Sequence, residues 1–126
     1  MTEAPTVLVA DDEEVVLNFV SVVLRNAGFP VLSASGGNEA LELVRNSQEP
    51  VTLAVLDMVM PDLSGPEVFG QVRELYPGIR ALFISGYNAP LGGVPAGCDF
   101  LAKPFTGTEL LRRFLETVQR QTTQLA

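Results

Sequence analysis

The chain predicts an α/β fold: a five-stranded parallel sheet with helices on both faces, a three-layer sandwich. Two observations carry that prediction. Short apolar strands alternate with helical-period segments five times along 126 residues. The third strand run, Val51 to Asp57, ends abruptly on a carboxylate, and Pro61 stops the extended chain four residues later. That places Asp57 at the C-terminal mouth of a buried strand, where open α/β sheets hold their ligands.

Thr6–Ala10 reads as the first strand and is followed at once by Asp11, Asp12, Glu13 and Glu14. From Val15 to Ala27, the residues Val15, Val16, Phe19, Val20, Val23 and Leu24 recur at helical spacing. Gly28 stops that helix. Val31–Ala34 is the second strand, and Ser35 to Asn38 lead into a helix carrying Ala40, Leu41 and Val44. After Pro61, Gly65 and Pro66 open a third helix with Val68, Phe69, Val72 and Leu75 inward, closed by Tyr76, Pro77 and Gly78. Arg80–Ser85 is the fourth strand. The segment from Gly86 to Gly97 carries Pro90, Gly92, Gly93 and Pro95, so a fourth helix there is short or irregular. Asp99–Lys103 is the fifth strand, broken by Pro104. Thr106 and Glu109 have capping-box spacing and open a last helix with Leu110, Leu111, Phe114, Leu115 and Val118 on one face. The polar stretch from Gln119 to Ala126 is expected to fray, leaving a single domain with its core over about 6–118.

Composition narrows the function classes. Hydrophobic residues make up 47%, and Gly and Pro number 11 and 9, which fits a globular chain and not a disordered one. Eight basic against 15 acidic residues give a net charge of −7 with no basic cluster, arguing against direct nucleic-acid binding. No apolar run reaches the ~20 residues of a membrane span, and the N-terminus lacks the pattern of a signal peptide. The single Cys98 cannot form an internal disulfide and is compatible with a cytoplasmic location. With no His and one Cys, zinc and haem are disfavoured, while a hard-cation site made of carboxylates stays open.

If all five strands run parallel, Asp11, Asp12, Asp57, Ser85 and Lys103 meet at one edge of the sheet. Three clustered carboxylates repel one another and call for a cation. Oxygen-only ligands suit Mg²⁺ or Mn²⁺, which keep waters for an incoming phosphate. Lys103 offers a compact positive charge and Ser85 a hydroxyl. Asp57 is the better nucleophile toward a phosphoryl group, because the adjacent pair Asp11 and Asp12 is suited to holding a metal. Taken singly, each signal is weak. Adjacent acids after a strand more often begin a solvated helix, and a lone lysine is usually a surface charge.

In this order and spacing, the residues resemble the receiver domain of two-component response regulators. The resemblance rests on Val7 to Glu13, on Asp57 to Pro61 with Gly65, on Ile84 to Gly86, and on Phe100 to Phe105, covering Val7 to about Val118. It implies a flavodoxin-like sheet of strand order 2-1-3-4-5 and a bacterial phosphorelay module that is not an enzyme in its own right. It implies Asp57 as phospho-acceptor, with Mg²⁺ held by Asp12, Asp57 and the Val59 carbonyl while Asp11 acts largely through water. Lys103 would pair with the phosphoryl group, next to a cis Lys103–Pro104 bond. Ser85 and Phe100 would form the conformational switch, although Phe100 lacks the hydroxyl of the commoner tyrosine.

The partner implied is a histidine kinase or histidine phosphotransfer protein, with the domain itself a monomer or weak dimer. Ser85, Gly86 and Tyr87, the short fourth-helix region and Lys103 to Thr106 resemble receivers attached to hybrid histidine kinases. Neither Val59 nor Tyr87 supplies a carboxylate or amide to orient water, which implies slow self-dephosphorylation. Two other classes share part of the pattern. A haloacid-dehalogenase-like phosphatase normally places a second acid two residues after its nucleophile, where Val59 stands here. A flavodoxin-like cofactor binder would need a phosphate loop in place of Asp11 and Asp12. A degenerate, non-phosphorylated receiver would not be expected to keep the complete acid, serine and lysine set. No output domain accompanies the receiver, so it is a stand-alone regulator or a piece of a longer chain.

Overall fold

The computed structural model describes residues 4–86 and 93–125. Five strands, β1 (Thr6–Ala10), β2 (Val31–Ala34), β3 (Val51–Asp57), β4 (Arg80–Ser85) and β5 (Asp99–Ala102), form one sheet of order β2-β1-β3-β4-β5. Every pair is parallel. Among the described residues four helices accompany them: α1 (Glu14–Asn26), α2 (Gly37–Asn46), α3 (Gly65–Leu75) and α4 (Gly107–Leu125).

Strand periodicity divides the core in two. Successive residues of β1 point to opposite faces. Leu8 and Ala10 pack with Ala40, Leu41 and Val44 of α2 and with Val68, Phe69 and Val72 of α3. Val7 and Val9 pack with Leu17, Val20 and Leu24 of α1 and with Leu110 and Phe114 of α4. Edge-to-face ring pairs lock both layers, Phe69 on Phe83 at 5.8 Å and Phe29 on Phe114 at 5.1 Å.

Helix ends follow local chemistry. Gly28 takes φ +98°, and its N–H donates to Arg25 O while Phe29 N–H donates to Leu24 O, the paired closure of a Schellman motif. Thr106 and Glu109 form the capping box expected for α4, with both backbone-to-side-chain bonds at 3.0 Å. Ser64 and Glu67 form a second box at the start of α3.

Several expectations are corrected. Leu75, read as inward, is 52% exposed; of the other periodic residues Val15, Phe19 and Leu115 are exposed, while Leu17, outside that set, is buried. The helical stripe read from the sequence is wider than the strip the sheet covers. Strand β5 stops at Ala102, one residue short of Lys103. Helix α4 is one element from Gly107 to Leu125, and neither Pro nor Gly follows Gly107 within it. Between β4 and β5, residues 86 and 93–98 form no helix; Tyr87, Pro90 and Gly92 lie outside the described residues.

Candidate phosphorylation site

Sheet pairing continues past the strand ends and fixes the residues that follow them. Asp11 N–H donates to Ala34 O at 3.1 Å, Met58 N–H to Ile84 O at 2.8 Å, and Lys103 N–H to Ser85 O at 2.7 Å. The sheet therefore delivers Asp11, Asp57, Ser85 and Lys103 to a single edge. Asp57, Ser85 and Lys103 line, with Asp12, Glu13, Val59 and Gly86, a cleft of about 450 Å³, and Asp11 is fully buried.

The loop after β3 turns back on itself at Gly65, whose N–H donates to Met58 O at 3.0 Å. A Cβ there would stand 2.4 Å from the Asp57 carbonyl oxygen, so only glycine permits this approach. The same loop carries Asp62, which reaches across to α2. Its carboxylate accepts from Gly37 N–H at 3.0 Å and Asn38 N–H at 2.8 Å, capping a helix whose own N-cap, Gly36, has no side chain to do so. Those backbone donors hold the Asp62 carboxyl below its usual range.

Charge in the cleft is unbalanced. Ligand oxygens of Asp11, Asp12 and Asp57 all lie within 4.8 Å of one another. Asp57 is only 5% exposed, and its pKa is pushed up to about 7, first by burial and then by the Asp11 charge. Lys103 and the Val59 N–H oppose that rise, the latter 3.5 Å from Asp57 Oδ1. The Lys103 ammonium lies 2.7 Å from Glu13 Oε1, 3.0 Å from Asp11 Oδ2 and 3.7 Å from Asp57 Oδ2. Burial by itself would lower the Lys103 pKa; its contacts with Glu13 and Asp11 outweigh that and raise it.

Asp11 Oδ2 is sealed from solvent without a well-aligned donor, and the Lys103 ammonium 3.0 Å away is its ion-pair partner. A buried, under-satisfied carboxylate oxygen facing two more carboxylates is what an oxygen-ligated divalent cation needs. The residues present therefore fit a metal ion.

The family model described as the response regulator receiver domain matches residues 7–115. The chain belongs to this family. As a receiver domain it is a signalling module, and its pocket of Asp11, Asp12 and Asp57 fits the phosphorylation site. It is 32% identical over 103 residues to the response regulator receiver protein CpdR of Brucella abortus, covering 79% of this chain and 84% of that one. It is 33% identical over 125 residues to the sensor kinase CckA of the same organism, covering 96% of this chain but 13% of the kinase. A probable transcriptional regulatory protein TcrX of Mycobacterium tuberculosis is 34% identical over 119 residues, 91% of this chain and 50% of that protein. The receiver thus spans half or less of the kinase and the transcriptional regulator.

Solved receivers share the fold. The response regulator receiver protein of Sinorhizobium medicae superposes with a TM-score of 0.82 at 32% identity, covering 94% and 98% of the two chains. The receiver domain of the hybrid histidine kinase CckA gives 0.78 at 30%, covering 90% and 99%. Strand order, parallel pairing and the acidic cluster agree with the expectations from sequence. The Lys103–Pro104 bond is cis, also as expected. The Glu13–Lys103 contact and the Asp62 cap escaped the sequence reading. Both join residues far apart in sequence, and neither has a local pattern to reveal it. Among the described residues, no helix is long and apolar enough to cross a membrane.

Proposed function

We propose that Asp57 is the phospho-acceptor of a two-component phosphorelay, taking its phosphoryl group from a histidine kinase or histidine phosphotransfer protein. One observation carries this reading: a nearly buried carboxylate at the floor of an open cleft, flanked by two more carboxylates and an ammonium. An Asp57 oxygen attacks phosphorus, the P–N bond to the donor imidazole breaks, and its electron pair returns to that nitrogen. Asp11, Asp12, Asp57 and the Val59 carbonyl would hold Mg²⁺ or Mn²⁺, Asp11 largely through water. When bound, the ion neutralises charge that builds on the phosphoryl oxygens. Lys103 then donates to one of those oxygens.

Phosphorylation adds roughly −1.5 to −2 charges and strong acceptors beside Ser85. In this reading the buried Ser85 hydroxyl moves to bond the phosphoryl group, and the Phe100 ring, half-buried on the neighbouring strand, turns into the space vacated. Val59 lines the cleft with a 60% exposed apolar side chain that cannot orient water, which supports slow self-dephosphorylation. Phosphotransfer from a purified phosphotransfer protein carrying phosphohistidine tests the function. Label should pass to the wild type and not to Asp57→Asn; equal labelling of both would refute the assignment. A pulse–chase of the labelled domain should show slow phosphate loss.

A further inference from the structure

Lys103 is not poised on Asp57. The ammonium donates to Glu13 at 2.7 Å and sits against Asp11 at 3.0 Å, carboxylates that do not react, and Asp57 is left at 3.7 Å. Glu13 is set at the lip of the cleft by its own N–H, which donates to Asp11 Oδ1 at 2.8 Å. Its side chain is 62% exposed, whereas that of Lys103 is 12% exposed. The pair stands between two hollows: both residues line the phosphorylation cleft and also an apolar groove of about 560 Å³ beside Val15, Phe19 and Phe105.

We propose that Glu13 is a positioning residue that restrains Lys103, drawing its ammonium toward the lip so that phosphorylation must exchange the Glu13 contact for a phosphoryl oxygen. The inference rests on Asp57 being the acceptor. Two physical effects give it the same sign. The ammonium has to leave an ion pair before it can serve the incoming group, and Glu13 adds negative charge where an anionic donor must approach. An exposed pair is weak, so the restraint tunes the reaction without blocking it. If Glu13 instead presented Lys103 to Asp57, its removal would slow phosphorylation.

The test is the rate of acetyl-phosphate modification, followed by intact mass at saturating Mg²⁺, for the wild type, Glu13→Ala, Glu13→Gln and Glu14→Gln. Glu14 carries the same charge one residue on, and among the described residues Lys103 pairs with Asp11, Glu13 and Asp57 and not with it. Both Glu13 variants should react about two- to fivefold faster than the wild type at low salt, the size an exposed ion pair carries. The gain should shrink at high salt, where the pair is screened. Glu14→Gln should stay near the wild-type rate. Slower Glu13 variants, unchanged rates, or an equal gain in Glu14→Gln would overturn the restraint while leaving the acceptor intact. No adduct on the wild type would overturn the acceptor assignment and the restraint with it.

Discussion

At the scale of single residues, the cleft is a place where folding and function pull in opposite directions. Asp57 is buried next to Asp11, and its pKa of about 7 in the folded chain stands above the ordinary 3.8. A carboxyl raised in this way favours the fold while protonated, at pH below about 4, and loses that contribution as pH rises through about 7. Asp57→Asn should therefore stabilise the metal-free protein at pH 8 by roughly 1–3 kcal/mol, or about 4–11 °C in Tm, and have no such effect near pH 4. Thermal melts of the two proteins at both pH values, in chelator, check this. Saturating Mg²⁺ should raise the Tm of the wild type more than that of the variant. Gly65 is constrained differently. Gly65→Ala puts a methyl group against the Asp57 carbonyl and should cost on the order of 2–4 kcal/mol, read by urea denaturation. The strand-end residues were legible because each closes an apolar run. The Gly65 contact was not, because it is a distance between a turn and the strand it has just left.

At the scale of elements, α2 depends on a residue outside itself. Asp62 caps its first turn from the loop that follows β3, so the segment carrying Asp57 and the start of α2 are tied together. Asp62→Ala should lower Tm at neutral pH. Because backbone donors depress the Asp62 pKa, that stabilisation is present above the ordinary carboxyl range and fades as pH falls through the depressed value. The gap between wild type and variant should close in acid. Hydrogen exchange should also show faster amide exchange at Gly37 and Asn38 in the variant. Helix existence was readable from apolar period and caps, as Thr106 with Glu109 shows. Burial of individual positions was less so. Val15 and Leu115 satisfy the period, yet the sheet is too narrow to cover them.

At the scale of the molecule, alternation of strands and helices sufficed to predict a parallel sheet with two covered faces. Strand order did not follow from the residues; it came with the resemblance to receivers, and the topology agrees. The two core layers should fail together when either is cut. Phe114 is fully buried and meets Phe29 edge to face, so Phe114→Ala should cost about 3–5 kcal/mol in denaturant unfolding. The whole arrangement has one functional consequence: five parallel strands bring Asp11, Asp57, Ser85 and Lys103 from four separate stretches of chain to one edge. The most direct test of that consequence is intact mass after acetyl-phosphate treatment, for wild type and Asp57→Asn, each with Mg²⁺ and with chelator. A single phosphoryl adduct on the wild type, dependent on Mg²⁺ and absent from the variant, is the predicted result. An adduct that persists in Asp57→Asn, or none on the wild type with Mg²⁺ present, would contradict it.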